Sequence, residues 1–288
     1  EKELSHLRRD LFQVLGRSKK KKGSYQRLLI SYQKDTVTYH FLDNYDKKVN
    51  FHTKKQFERT EMMFKKDGME KIYNSSVAIF GIGGVGGYVA ETLARSGVTT
   101  FYLYDPDVVS LSNINRQIFA TFKTLGQDKV SAMKDRILSI NPDADVHTYK
   151  LFIDKDTIKE IDFSKFSYCV DALDTISTKI QLIVKAKENN IPLISAMGAG
   201  NHYDPSQFKV MDLAKTSYDP VAKVLRRELK NYGITHQKVV CSLEIPINTI
   251  IEDNGRHAPA SNAFTPSACG IVIASEVIKD ITNKDNQQ

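Results

Sequence analysis

The sequence predicts an α/β protein built on a doubly wound, mostly parallel sheet, with a small basic helix/hairpin segment ahead of it. Three observations carry this. Short runs rich in Val, Ile, Phe and Tyr alternate with longer stretches of helical period, the pattern of strands joined by right-handed crossovers with helices on both faces of a sheet. The first apolar run, Val77–Phe80, leads straight into Gly81-Ile-Gly83-Gly84-Val-Gly86 and then into a helical stretch, the order in which a Rossmann-like sheet presents a nucleotide loop after its first strand. The net charge of +7 is concentrated at the start: residues 1–56 hold 14 Lys and Arg against 6 Asp and Glu, a balance of +8, and the rest of the chain balances at −1.

Two regions follow, a basic extension over 1–56 and an α/β domain over 57–288. Leu4, Leu7, Leu11, Val14 and Leu15 have helical spacing, so residues 1–16 read as a short helix. After the run Lys19–Lys22, "YQRLLISYQKDTVTYHFL" is rich in β-branched and aromatic residues and suits a hairpin turning at Lys34 and Asp35. "FERTEMMFKKDGMEKIY" reads as a helix with Met62, Met63, Met69 and Ile72 on one face. Val77–Phe80 is a buried parallel strand, and the residues after Gly86 are helical to about Ser96. "TTFYLYD" is a second strand ending at Asp105. "GQDKVSAMKDRILSINP" is a helix stopped before Pro142. "DVHTYKLF" and "YCVDALD" are the next strands, "TKIQLIVKAKENN" a helix and "IPLISAMG" a strand. A long charged excursion follows, "KVVCSLEIPI" returns as a strand, and "SACGIVIASEVIKDI" is a final packed helix.

Several classes are excluded or disfavoured. No apolar run approaches the ~20 residues of a membrane helix, and Glu1–Asp10 is charged and unlike a signal peptide. Cys169, Cys241 and Cys269 are far apart with no C-x-x-C pair, so one chain cannot build a four-thiolate zinc site. Cys169 and Cys269 read as core, and Cys241, on a strand, reads foremost as a small buried hydrophobe. The sparse, odd count suits a reducing, cytoplasmic setting. The basic extension can bind nucleic acid or be a solvated tail, and charge alone does not choose.

The glycine loop lets a backbone approach phosphate oxygens, and the following helix N-terminus supplies free N–H groups. Asp105 lies 19 residues after Gly86, where a carboxylate can hold a ribose. This much fits NAD as well as ATP. The next segment, "DPDVVSLSNINRQI", discriminates. When a triphosphate is attacked at its α-phosphorus, charge builds on the departing pyrophosphate and fixed donors must meet it. Arg116 offers a planar fork, Asn113 and Gln117 neutral donors, and Lys129 a point charge. Asp174, at the end of "VDALD", is placed to hold Mg²⁺ against phosphates. An NAD enzyme has no evident task for Arg116 and Lys129.

The pieces "GIGGVGG", "YDPDVVSLSNINRQI", "GQDKV", "INPDADV" and "VDALDT" resemble the ubiquitin-activating-enzyme-like (ThiF/MoeB/HesA) family of adenylating enzymes, which attach AMP to a carboxylate. The resemblance implies an ATP site of Gly81, Gly83, Gly84, Gly86, Asp105, Asp107, Asn113, Arg116, Gln117, Lys129 and Asp174, with Asp174 on Mg²⁺. It implies a homodimer in which Arg59, in "QFERTEMMF", enters the partner's site, so that Arg59, Arg116, Lys129 and Asp174 carry catalysis. "ISAMGAGNHYDPSQFKVMDLAKTSYDPVAKVLRRELKNYGI", "KVVCSLEIP" and "NAFTPSACGIVIASEVIKDI" are similar to the branch of that family that dehydrates threonylcarbamoyladenosine in tRNA. His202 departs from it, standing where the branch pattern leads us to expect Lys.

The function so implied is ATP-dependent cyclisation of the threonyl carboxylate of that nucleoside to a hydantoin, with tRNA as partner and a sulfur-transfer protein as a further possible one. Lys223, Arg226, Arg227 and Lys230 can form a phosphate-contacting stripe on one helix, or be a solvated face. Tyr203 and Tyr218 can stack on a splayed base, or be core aromatics. The alternative function is adenylation of a ubiquitin-like or sulfur-carrier protein C-terminus. A degenerate, non-catalytic RNA-binding protein is disfavoured by the intact polar set.

Overall fold

The computed structural model describes residues 28–33, 36–41, 56–247, 250–253 and 256–282. The chain divides into two compact units, Glu1–Phe51 and His52–Gln288. In the first, β1 (Leu28–Gln33) and β2 (Thr36–Phe41) pair antiparallel with Gln33 facing Thr36. The expected helix over 1–16 and the turn at Lys34 and Asp35 lie outside the described residues.

The second unit is built on a seven-stranded sheet. Its strands are β3 (Ser76–Phe80), β4 (Thr100–Tyr104), β5 (Asp145–Tyr149), β6 (Tyr168–Asp171), β7 (Leu193–Ala196), β8 (Phe208–Asp212) and β9 (Lys238–Ser242). They stand in the order β5-β4-β3-β6-β7-β9-β8. All neighbours are parallel except β8 and β9. The chain winds outward from β3 through β4 to β5, then restarts at β6 and winds the other way. The switch between β3 and β6 opens a crevice beyond the carboxyl ends of these two strands, where such sheets bind ligands. A separate ribbon pairs β10 (Ile250–Asp253) with β11 (Arg256–Pro259).

Period-2 alternation in β3 sets the two layers. Val77 and Ile79 enter one core with Leu93, Met133, Ile137, Ile273 and Val277. Ala78 and Phe80 enter the other with Phe163, Leu182, Ile183 and Leu225. Helices α1 (Glu58–Tyr73), α2 (Gly86–Ser96), α3 (Lys129–Ile140) and α6 (Thr265–Thr282) therefore cover one face. Helices α4 (Ile176–Glu188) and α5 (Pro220–Leu229) cover the other. Asp219 starts α5: its carboxylate accepts from Ala222 N at 2.7 Å, and Pro220 takes the first helical position. The same carboxylate accepts from Gly198 N at 2.8 Å, pinning the start of α5 to the end of β7.

Three expectations are corrected. Met69 and Ile72 are buried as expected, but Met62 and Met63 are 81% and 77% exposed. Lys65 has φ 58° and breaks α1, so the first turns leave the register that would have aligned the four residues. The charged excursion contains an unforeseen strand, β8, whose Lys209 is exposed; a short, charged edge strand carries little apolar pattern. The strands predicted to end on Asp105 and Asp174 stop at Tyr104 and Asp171, so both acids stand on the loops beyond.

Candidate active site

The phosphate loop is folded so tightly that side chains are excluded from its turn. Gly81 has φ +90°, and a Cβ there would lie 2.5 Å from the carbonyl oxygen of Ala172. A Cβ on Gly86 would lie 1.9 Å from the Gly81 oxygen. The loop after β3 is thus packed against the loop after β6, across the switch point, and the latter carries Asp174. Asp174 is exposed and its Oδ1 accepts from Thr175 Oγ1 at 3.3 Å.

Asp105 is buried, and its two oxygens accept from Ile82 N at 2.7 Å and Asp107 N at 2.9 Å. Burial pushes this carboxyl above its ordinary value, against the opposing charge of Lys129. Residues 105–109 run beside 126–129 through Val109 N to Gln127 O at 2.8 Å and Lys129 N to Asp107 O at 3.0 Å. That pairing delivers the buried Lys129 to the site, with Nζ 2.7 Å from Asp107 Oδ2 and 3.7 Å from Asp105 Oδ1.

The segment after Asp105 folds over the glycines. The carboxamide oxygen of Asn113 accepts from Ser110 N at 3.0 Å and closes a single 3₁₀ turn, Leu111–Asn113. The Arg116 stem crosses Gly84, its Cγ 3.3 Å and Pro266 Cβ 3.1 Å from where a Cβ would stand, so a side chain there would press on both. Its Nη1 donates to Ser112 O and Asn115 Oδ1, both at 2.8 Å. Burial pulls the guanidinium below its ordinary value. Gln117 is buried beside Gly83, its Nε2 4.0 Å from where a Cβ there would stand, and its Oε1 has no partner among the described residues.

These residues fit a nucleotide: a glycine cradle, a buried carboxylate, a cation within reach of it and an amide nitrogen beside the glycines. Among the described residues no group of three or more His, Cys, Asp or Glu is gathered as for an all-protein metal cage. Mg²⁺ does not need one, since one carboxylate and the phosphates of a nucleotide suffice, and the exposed Asp174 is a carboxylate that could serve.

Other predicted residues are not gathered here. Arg59 is exposed in the first turn of α1. Lys223, Arg227 and Lys230 are exposed along or just past α5, but Arg226 turns inward and donates to Leu213 O at 3.3 Å, Thr216 O at 2.9 Å and Thr216 Oγ1. Tyr203 and Tyr218 are exposed, so neither is a core aromatic. All three cysteines are buried, and burial pushes the Cys241 thiol up to about 12.

The sequence reading missed two features. Lys179 and Asp171 form a fully buried ion pair with Nζ 3.0 Å from both oxygens. Asn115 Nδ2 donates to Ser261 O and Oγ at 3.3 Å, and Pro266 lies against Gly84, so the late segment 259–266 forms a second wall of the crevice.

A model of the ThiF family matches residues 57–288. The chain is 42% identical over 240 residues to the tRNA threonylcarbamoyladenosine dehydratase of Bacillus subtilis, covering 78% of this chain and 94% of that one. Its structure is similar to the tRNA N6-threonylcarbamoyladenosine dehydratase of E. coli in complex with AMP, with a TM-score of 0.75 and 32% identity over 82% of this chain and 97% of that one. The ATP complex of the E. coli enzyme gives a TM-score of 0.75 and 31% identity over the same shares.

Proposed function

The chain belongs to the ThiF family, and on that premise we propose that it is an ATP-dependent dehydratase that cyclises N6-threonylcarbamoyladenosine in tRNA. The observation that carries the reading is the crevice at the β3/β6 switch, where the glycine loop, Arg116, Gln117 and the loop bearing Asp174 converge, in a chain whose relatives bear that activity over most of its length.

The threonyl carboxylate attacks the α-phosphorus of ATP, its oxygen forming the new P–O bond while pyrophosphate leaves. The carbamoyl nitrogen then forms a bond to the acyl carbon, loses its proton, and AMP departs with the former carboxylate oxygen. One water is lost from the nucleoside overall. Adenylation supplies the leaving group, and holding nitrogen and acyl carbon in one bound molecule supplies the proximity. No thiol is needed, which suits a Cys241 that is protonated and buried.

In this reading Asp105 holds the ribose, and the glycine-loop amides hold phosphate oxygens. Arg116, Lys129, Asn113 and Gln117 meet the charge on the departing pyrophosphate. Mg²⁺ on Asp174 would add a fixed positive charge against the phosphates. The enzyme is a homodimer in which Arg59 of one protomer faces the phosphates bound by its partner; the exposed Met62 and Met63 beside it support an interface there. Lys223, Arg227 and Lys230 track the tRNA backbone. Among the described residues no helix is long and apolar enough to cross a membrane, and a tRNA substrate makes the cytoplasm the working compartment.

The test is nucleoside mass spectrometry of tRNA carrying threonylcarbamoyladenosine after incubation with the protein, ATP and Mg²⁺. ATP-dependent loss of one water from that nucleoside is expected. No loss, with ATP–pyrophosphate exchange stimulated by a Gly-Gly-tailed carrier protein, would move the chain to the carrier-protein activators.

A further inference from the structure

We propose that Tyr203 is the platform on which the modified adenine base stacks while its threonyl arm reaches into the nucleotide crevice. The proposal rests on the tRNA dehydratase reading above and names the side chain that grips the base.

Tyr203 stands on the loop that leaves β7, at the same sheet edge as the glycine loop. Two further segments fix that loop. Leu243 N donates to Gln207 O at 3.1 Å and Ile247 N to Asn201 O at 2.9 Å, extending the β8–β9 ladder past its end. Asn201 exchanges two bonds with Ala260, N to O at 2.9 Å and Ala260 N to Asn201 Oδ1 at 2.7 Å. Asn262 Nδ2 donates to His202 O at 2.8 Å. These bonds accompany a left-handed Asn201 at φ 60°, a conformation that Asn tolerates because its short amide can bond to nearby backbone, here to Ala260 N.

The backbone on either side of Tyr203 is held as well. His202 is buried, edge-on to Phe208. The Glu244 carboxylate accepts from Tyr203 N at 3.0 Å and from Asp204 N at 3.0 Å. Tyr203, its amide clamped between the buried His202 and Asp204, is 66% exposed. Leu243, Ile245 and Phe264, on the segments tied to this loop, are exposed too. A tyrosine on a fixed backbone has only two side-chain torsions to lose when a flat partner covers its ring.

The occupant follows from continuity with the nucleotide site. The 259–266 segment that braces Asn201 and His202 also receives Asn115 through Ser261 and packs Pro266 on Gly84 beside Arg116. One strip of chain thus borders both the Tyr203 loop and the phosphate loop. A substrate whose carboxylate must meet an α-phosphorus above the glycines, and whose base lies one flexible arm away, has its base over this second wall. Bases of single-stranded RNA loops are gripped by stacking on aromatic rings. Tyr218 is exposed as well, but no bond ties it to the 259–266 segment.

The test is initial-rate kinetics of wild type, Tyr203→Phe and Tyr203→Ala on tRNA carrying threonylcarbamoyladenosine, with product read by nucleoside mass spectrometry. Removing a stacking ring should lower kcat/KM for tRNA about tenfold or more, with KM for ATP unchanged, and Tyr203→Phe should stay close to wild type. Three results would overturn the platform: wild-type kcat/KM in Tyr203→Ala, an equal loss in Tyr203→Phe, or a rise in KM for ATP that matches the loss on tRNA. Active wild type with an equally active Tyr203→Ala sinks the platform alone. A wild type that converts no nucleoside sinks the functional reading and the platform with it.

Discussion

Replacing Lys179 by Met should cost about 3–5 kcal/mol of stability, the range for leaving one member of a buried ion pair without its partner. The side chains of Lys179 and Asp171 are 2% and 0% exposed, and Nζ lies 3.0 Å from both carboxylate oxygens. With the ammonium gone, the carboxylate keeps one described donor, Leu173 N at 3.2 Å, and no access to water. For a domain of this size each kcal/mol moves Tm by about 2–4 °C, so a fall of roughly 6–20 °C is expected by differential scanning calorimetry. Adding Asp171→Asn to Lys179→Met should recover much of that loss, because a neutral amide no longer leaves a naked charge inside. The pair also has a functional side. Asp171 ends β6 one residue before Ala172, whose carbonyl packs on Gly81, so the single variant should turn over more slowly even where it is folded. A Tm within about 3 °C of wild type for Lys179→Met would refute the reasoning, because it would mean that the lone carboxylate is met by water or by other donors.

Arg116→Ala and Asp174→Ala should each lower the rate of nucleoside conversion by ~10²-fold or more while leaving Tm near wild type; full activity in either removes it from the site. Mixing inactive Arg59→Ala and Arg116→Ala protomers should restore part of the activity if Arg59 works across a dimer, and no restoration argues that it does not. Cys241→Ala should keep the conversion within a few-fold of wild type, and loss of conversion would show that the thiol takes part. Glu91 gives a pH signature. Burial works to raise its carboxyl, but the hydrogen bonds from Arg136 and Arg95 outweigh this and hold it below its usual value. A carboxyl depressed in the folded state stabilises above its unfolded pKa and loses that contribution as pH falls through the folded one. Thermal melts should therefore show wild type losing its advantage over Glu91→Gln in the acid range below the usual glutamate pKa, and a constant difference across pH would contradict the clamp.

What the sequence made legible follows from where each residue's neighbours lie along the chain. Val77–Phe80, Gly81–Gly86, Asp105, Asn113–Gln117 and Lys129 are successive parts of two βα units, and a parallel sheet delivers consecutive loops to one edge. Order along the chain is therefore enough to gather them. The kink at Lys65 hid because the left-handed residue is itself an ordinary helix former; its local sign, Asp67-Gly68, falls two residues later. Strand β8 hid because an edge strand need not alternate cleanly. The ion pair hid for another reason: Asp171 and Lys179 are eight residues apart, and only the burial of both the end of β6 and the first turns of α4 makes them partners.

The second wall was the least legible part, and the cause is loop closure over long sequence separations. Asn115 meets Ser261 across 146 residues, Asn201 meets Ala260 across 59, and His202 meets Asn262 across 60. No local period encodes such contacts. They exist because β7 and β9 end at the same edge as β3, and because the chain must cross that edge to start α6 at Thr265. The early loops proposed to bind the nucleotide are thus written locally, whereas the wall proposed to face the acyl substrate is assembled from late segments braced against them. That division predicts where change is tolerated: substitutions on the late wall away from Ser261 and Pro266, such as Tyr203→Ala, should alter tRNA kinetics without touching ATP, and those in the early loops should abolish both.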